Sequence, residues 1–276
     1  MKIDTHQHFW KYNSRDYVWM SAAMDKLRRD HLPEDLMPLL KASGIDGTIA
    51  VQARQTLEES TWLLQLAEEY PFIRGVVGWV DLSSEEVAQQ LEQFSQRPKF
   101  CGVRHVLHDE PDDQFMLREV FVRGVSMLEK FGLAYDLLLF PRHLRIACDL
   151  VSRFPNQRFV LDHIAKPAVQ SGAMEPWKSD LRQLAIFPNV FCKISGLVTE
   201  AHWERWQAKD FEPYLDVVLN AFGANRLMIG SDWPVCTLAA DYKSVIELET
   251  GYISRLSDDE QMAIMEKNPV EFYSLE

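Results

Sequence analysis

Two histidines one residue apart, His6 and His8, stand near the start of the chain in Asp4-Thr5-His6-Gln7-His8, and Asp232 closes an apolar run, Leu227-Met228-Ile229-Gly230-Ser231-Asp232, near its end. Side chains alternate along a strand, so two imidazoles at i and i+2 lie on the same side. Such a pair can chelate one metal ion or grip one substrate oxygen, and an aspartate from a distant strand end adds a charge and a base. The combination points to hydrolysis at one rim of a closed barrel.

Further polar residues fall at the ends of apolar runs along the whole chain: Gln52 and Arg54, Trp79 and Asp81, Arg104, His105 and His108, Asp136, Asp162, His163 and Lys166, and Lys193 and Ser195, with Trp233 beside Asp232. Any one of these can be structural, but a barrel that only packs has no need of a polar group at nearly every strand end. Asp232 carries the most weight, because burying a charge on a core strand is costly without partners. His163 follows the buried run Phe159-Val160-Leu161-Asp162 and is expected in the site. Arg54 and Lys166 can neutralise a carboxylate or polarise a carbonyl, and strand-end ion pairs would look the same. Trp10, Trp79 and Trp233 could form an aromatic wall for a sugar ring or could simply pack. His202 reads as a loop residue.

The elements that must position these groups are short apolar runs alternating with helical patterns. Eight runs read as strands: Lys2–His8, Thr48–Ala53, Arg74–Leu82, Cys101–Leu107, Leu133–Leu139, Arg158–Ile164, Val190–Leu197 and Leu227–Asp232. Their starts lie 25 to 46 residues apart, the scale of a strand–helix unit. They are continuously apolar, as expected for strands buried on both faces. Helices are predicted over Thr56–Tyr70, after the capping sequence Ser83-Ser84-Glu85-Glu86, over Gln114–Phe131 and over His143–Phe154. Eight such units suggest a (β/α)8 TIM barrel, somewhat distorted, with residues 1–276 as a single domain. The competing open doubly wound sheet would carry a glycine-rich phosphate turn after its first strand, where this chain has His-Gln-His. The long connection Phe9–Leu32 is a candidate lid.

Composition sets further bounds. The chain has 276 residues, 47% hydrophobic and 25% charged, enough for a sizeable core, and its net charge is −12. That acidity argues against nucleic acid or anionic membranes as partners, although a local basic pocket could still hold an anion. The start of the chain shows no apolar leader, and no run is long enough to span a membrane. Cys101, Cys148, Cys192 and Cys236 are widely spaced and read as reduced core cysteines, which fits a cytoplasmic protein.

Four segments in this order, Asp4-Thr5-His6-Gln7-His8-Phe9-Trp10, Leu161-Asp162-His163-Ile164-Ala165-Lys166-Pro167, Lys193-Ile194-Ser195-Gly196-Leu197 and Gly230-Ser231-Asp232-Trp233-Pro234, resemble the amidohydrolase superfamily. They are most similar to its branch of sugar-lactone hydrolases, the L-fuconolactonases and L-rhamnonolactonases, and Asn268-Pro269-Val270-Glu271-Phe272-Tyr273 is similar to the closing segment of those proteins. The resemblance implies a distorted TIM barrel with His6, His8, His163 and Asp232 in the catalytic site. The chain departs from the two-metal members. Its fourth strand ends without a lysine or glutamate bridge and its fifth, with Asp136, lacks a histidine ligand. One divalent ion, zinc by its donor set, could be held by His6, His8 and Asp232. The resemblance also implies that lactone-hydrolysing relatives in this branch are able to work without a metal, which leaves metal dependence open.

A lactone is an activated ester, and its opening needs a water made nucleophilic and a carbonyl made electrophilic. The expectation is that Asp232 takes the proton of the attacking water, that His6, His8 and either Arg54 or a bound cation steady the oxyanion, and that His163 serves the leaving ring oxygen. Arg54, Trp79, Arg104, His105, Lys166 and Trp233 are the expected substrate contacts. The alternatives are an anionic pyrone dicarboxylate lactone, clamped by Arg54, Arg104 and Lys166, a metal-dependent decarboxylation, and a non-catalytic sugar-binding barrel. The partner is expected to be a small molecule. Oligomeric state, ring size and stereochemistry are not legible, and substrate choice should lie in Phe9–Leu32 and Val198–Asp210.

Overall fold

The computed structural model describes residues 1–276. Eight parallel strands follow one another around a single sheet: β1 Ile3–Gln7, β2 Gly47–Val51, β3 Ile73–Gly78, β4 Phe100–His105, β5 Ala134–Leu137, β6 Phe159–Leu161, β7 Val190–Ser195 and β8 Leu227–Gly230. All eight fall within or against the predicted runs. Strands buried on both faces need no polar alternation, which is why these segments read as unbroken apolar stretches. The helices are α1 Pro33–Ala42, α2 Leu57–Glu69, α3 Val87–Ser95, α4 Glu119–Leu128, α5 Leu144–Ser152, α6 Trp177–Leu184, α7 Ala208–Phe222, α8 Tyr242–Ile253, α9 Asp258–Met262 and α10 Asn268–Tyr273. No helix is long and apolar enough to cross a membrane.

Closure falls between β8 and β1, where individual hydrogen bonds replace a regular ladder. The Thr5 hydroxyl donates to the Ile229 carbonyl (2.6 Å), the Asp232 N–H to the His6 carbonyl (2.8 Å) and the His8 N–H to the Trp233 carbonyl (2.7 Å). These bonds bring the two motifs at opposite ends of the sequence side by side. At the other end of the barrel, Phe272 and Tyr273 of α10 pack with Ile3, Ile49, Val51, Val77, Val160 and Met228. The Asn268 side chain fixes that helix by donating to the Ala224 and Leu227 carbonyls (2.8 and 2.7 Å).

Local chemistry sets the helix limits. Thr56 caps α2 by accepting the Glu59 N–H (3.1 Å). The expected cap at Ser83 and Ser84 serves a turn instead, in which Asp81 accepts the Ser83 N–H and Ser84 the Glu86 N–H (both 3.0 Å), so α3 begins only at Val87. The predicted helix Gln114–Phe131 is interrupted at Arg118 (φ −60°, ψ 134°), whose guanidinium pairs with Asp112 and covers Phe115. Cys101, Cys192 and Cys236 are buried, Cys148 is half-buried, and all four are unpaired.

Candidate active site

Three imidazoles converge on one carboxylate oxygen. Asp232 Oδ1 lies 3.4 Å from His8 Nε2 and 3.9 Å from both His6 Nε2 and His163 Nε2. His8 donates its Nδ1–H to the Val51 carbonyl (2.7 Å), which aims its Nε2 edge at Asp232. Asp232 itself sits in the left-handed region at φ 55°, just past the end of β8. Asp4 holds this junction from behind: its carboxylate accepts the N–H groups of His6 (3.1 Å) and Ser231 (2.9 Å) and the hydroxyls of Ser231 (2.6 Å) and Tyr242 (3.1 Å). Burial alone would raise the Asp232 carboxyl, but the neighbouring His163 and His8 rings and Lys166 outweigh it and hold the group below its usual range. Burial drives His163 and His6 well below the ordinary imidazole value, so both rings are neutral at neutral pH.

β6 delivers His163 through an unusual turn. His163, Ile164, Ala165 and Lys166 have φ of 53°, 47°, 61° and 49°, a left-handed helical turn containing no glycine. Each such residue costs on the order of 1–2 kcal/mol, so the surroundings must enforce it. The Lys166 N–H donates to the His163 carbonyl (2.8 Å), the Trp177 indole N–H to the Ile164 carbonyl (2.7 Å), and His163 Nδ1 is bonded to the Ser195 hydroxyl (2.9 Å). Gly196, at φ 62°, leaves room for the ring, since a Cβ there would fall 2.5 Å from His163 Nδ1.

Beneath the histidines a ladder of charges fills the barrel. Lys193 Nζ is 2.5 Å from Asp136 Oδ2 and 3.1 Å from Asp162 Oδ1, and Arg104 Nη1 is 3.1 Å from Asp162 Oδ2. Tyr273 reaches up from α10 to donate to Asp136 (2.9 Å). Burial opposes every charge here. The two cations and His6 nevertheless hold Asp162 well below its usual range, and the two carboxylates raise Lys193. Burial keeps Asp136 above its usual range against the pull of Lys193.

A cavity of about 670 Å³ opens above the histidines. His8, His163, Asp232, Arg104, Arg54 and Lys166 line it, as expected from the sequence. The long connection after β1 forms one wall through Trp10, Asp16, Trp19 and Met24, and the segment after β7 another through Thr199, Glu200 and Trp203. Three expected contacts lie elsewhere. Trp79 and His105 point outward, the indole N–H 3.3 Å from His105 Nδ1, with His105 paired to Glu110 (2.7 Å) and stacked on Phe115. Trp233 is buried against Phe9 and His31. Alternation along β4 explains the first pair: Arg104 faces the barrel interior, so its neighbour faces the helices. The rim cations also come with their own anions. Arg54 pairs with Asp16 of the long connection after β1 (3.1 Å) and Lys166 with Glu200 (3.0 Å). Sequence reading placed Asp136 and Lys193 at strand ends without assigning them a role, and gave Asp162 that of orienting a ring or bridging strands; in the structure it faces His6, Arg104 and Lys193. Sequence reading passed over Asp4, Glu59, Trp177 and Ser231.

Two groups of side chains have the spacing to hold a metal ion: His6, His8 and Asp232, and His6, Asp162 and His163, with the ligand atoms of each group within 4.8 Å of one another. The first fits a zinc-like ion in donor type, and the free Nε2 of His8 already faces the shared point. The second fits less well, because Asp162 is taken by Lys193 and Arg104.

A closed barrel of parallel strands, with a His-x-His pair at the end of the first and an aspartate at the end of the last, defines a hydrolase scaffold whose rim groups His and Asp side chains at metal-ligand spacing. The chain belongs to the amidohydrolase family, whose profile matches residues 3–275. It is 42% identical to L-fucono-1,5-lactonase of Burkholderia multivorans, over 100% of this chain and 96% of that one. It is also 42% identical to the L-fucono-1,5-lactonase of Burkholderia ambifaria, over 87% and 83%. A crystal structure of an amidohydrolase from Burkholderia multivorans with bound zinc superposes with a TM-score of 0.97 at 42% identity, covering both chains fully.

Proposed function

We propose that this protein hydrolyses a sugar-acid lactone, with L-fucono-1,5-lactone as the first substrate to test. The observation that carries the reading is the meeting of three imidazoles at a buried, ionised Asp232 on the floor of a sugar-sized cavity, in a chain 42% identical over its whole length to an L-fucono-1,5-lactonase.

Asp232 takes a proton from water as the water oxygen bonds to the lactone carbonyl carbon, and returns it to the ring oxygen as that C–O bond breaks. Its low pKa keeps it ionised at neutral pH. His163, steadied by Ser195, borders Asp232 and would serve the leaving ring oxygen. Arg104, rather than the Asp16-bound Arg54, is the donor that would meet the developing oxyanion beside His6 and His8. Lys166, Glu200 and His108 line the cavity and would hold substrate hydroxyls. A zinc ion on His6, His8 and Asp232 would polarise the carbonyl and acidify a bound water. Because Arg54 and Lys166 are each matched by a carboxylate, the cavity suits a neutral polyol lactone better than a pyrone dicarboxylate. The unpaired cysteines agree with a cytoplasmic setting.

The test is proton release from L-fucono-1,5-lactone by the wild type and by Asp232→Asn, each with and without zinc. Asparagine tolerates the left-handed backbone at this position, so the variant should keep its melting temperature and lose at least about 10³ in kcat. Near-normal turnover by the variant would remove Asp232 as the base. No release by the wild type from any aldonolactone would sink the lactonase reading.

A further inference from the structure

We propose that Arg104 is the resident cation of the site, and that it sets how tightly His6, His8 and Asp232 hold a divalent metal ion. The proposal rests on reading those three as the metal donors.

Arg104 comes from the end of β4 and is buried, 3% exposed. One of its nitrogens, Nη1, lies 3.2 Å from His6 Nε2 and 3.1 Å from Asp162 Oδ2, while Nη2 donates to the Gln52 carbonyl and lies 3.5 Å from Gln52 Oε1. A guanidinium only donates, so His6 Nε2 must accept, and the ring proton sits on Nδ1, which faces Asp162 Oδ1 at 3.3 Å. Lys193 Nζ also comes within 3.3 Å of Nδ1, but it lies closer to Asp136 Oδ2 (2.5 Å) and Asp162 Oδ1 (3.1 Å), and a neutral imidazole accepts at only one of its two nitrogens. His6 therefore has one lone pair to offer, and Arg104 and a metal ion both address it.

The guanidinium cannot easily withdraw. Leaving His6 would also separate it from Asp162 and from the Gln52 carbonyl in a dry part of the barrel, stranding buried polar groups. A dication bound at His6 Nε2 must then give up the Arg104 hydrogen bond and sit a few ångströms from a fixed positive charge, a repulsion that water screens poorly at this depth. Two imidazoles and a carboxylate consequently bind metal less tightly here than the same three donors would beside a neutral residue. Arg104 also lines the cavity, so its guanidinium charge borders the space that a lactone carbonyl would enter. The same side chain that weakens the metal site provides a positive charge for the reaction when no metal is bound.

The experiment is a zinc titration of the metal-stripped protein against a chromophoric chelator. It compares wild type, Arg104→Gln, which keeps a neutral donor toward Asp162 and His6, and Arg104→Lys, which keeps the charge. Arg104→Gln should bind zinc at least about tenfold more tightly, Arg104→Lys should stay within about threefold of wild type, and the metal-free turnover of Arg104→Gln should fall at least about 10²-fold. Unchanged or weaker zinc binding by a folded Arg104→Gln, judged by its thermal melt, would overturn the proposal. So would equal tightening by Arg104→Lys, which would show that the charge is not the cause. The titration uses zinc alone, so its outcome does not depend on which lactone the protein opens. Zinc binding unaltered by His8→Ala would trace a failure to the assigned donors rather than to Arg104.

Discussion

Asp4 and Ser231, 227 positions apart in sequence, share two hydrogen bonds: the Ser231 N–H to Asp4 Oδ1 at 2.9 Å and the Ser231 hydroxyl to Asp4 Oδ2 at 2.6 Å. Because the same carboxylate also accepts the His6 N–H at 3.1 Å, one buried side chain fixes the backbone of the metal-type pair on β1 and of the base beyond β8. Asp4→Ala leaves two buried N–H groups unpaired and should cost about 3–5 kcal/mol in urea unfolding, with kcat falling further than KM rises. Asp4→Asn keeps the Oδ1 acceptor, and the two hydroxyls can rotate to accept from its amide, so its cost should stay below about 2 kcal/mol. Equal losses in the two variants would refute this account of the junction.

Arg54 tests the placement of the oxyanion partner. In the structure it is bound to Asp16 of the long connection after β1, with both side chains about one-third exposed, so the pair should contribute under about 1 kcal/mol to stability. Arg54→Ala and Asp16→Asn should each raise KM by roughly two- to fivefold, leave kcat nearly unchanged and fail to add in the double variant. A fall of about 10² in kcat on Arg54→Ala alone would restore it as the oxyanion donor expected from sequence.

The barrel was legible because strands buried on both faces read as apolar runs that stop at polar residues, and those polar residues mark the rim. That is why the sequence could place His6, His8, His163 and Asp232 together at the rim, where the structure has them meet. Trp79 and His105 misled because a strand end says where the run stops, not which side a residue faces, although the alternation on β4 could have separated His105 from Arg104. Asp4 was hidden differently: the register of β1 against β2 shifts between Asp4 and Gln7, so its side chain turns to Tyr242 of α8 and not into the site with His6. Nothing local in the sequence could pair Lys193 with Asp136 and Asp162, which meet only when three separate strands come together around the barrel.

Glu59 gives a pH dependence. Burial pushes its carboxyl up to about 7, against the N–H groups of Ala53 and Arg54 that bond to Oε2 at 2.9 and 2.7 Å. The folded protein therefore holds this proton more tightly than the unfolded chain does. Its contribution is fully present below about 4.5, is lost as pH rises toward about 7 and is level above that. Glu59→Gln keeps an acceptor for both N–H groups and removes the titration. The unfolding free energy of the variant relative to wild type should rise by up to about 3 kcal/mol between roughly pH 4.5 and 8. A difference that stays constant across that range would rule out Glu59 as the titrating group.

Trp177 acts on the site without reaching it. Its indole N–H donates to the Ile164 carbonyl at 2.7 Å, in the middle of the left-handed turn that carries His163 at one end and Lys166 at the other. Trp177→Phe keeps a ring against Tyr214 and loses only the donor and some volume. It should cost about 1–3 kcal/mol for the stranded carbonyl. It should also lower kcat roughly tenfold and raise KM, because His163 borders the base while Lys166 lines the cavity. A loss of stability alone could produce the first effect but not the split. The decisive variant is Ala165→Gly, since glycine adopts the φ of 61° found there without the penalty borne by alanine. In the wild type it should change kcat less than about twofold. In the Trp177→Phe background it should recover several-fold in kcat, because less hydrogen bonding is then needed to hold the turn. If glycine restores stability but no activity, the indole does not work through this turn, and its role is packing alone.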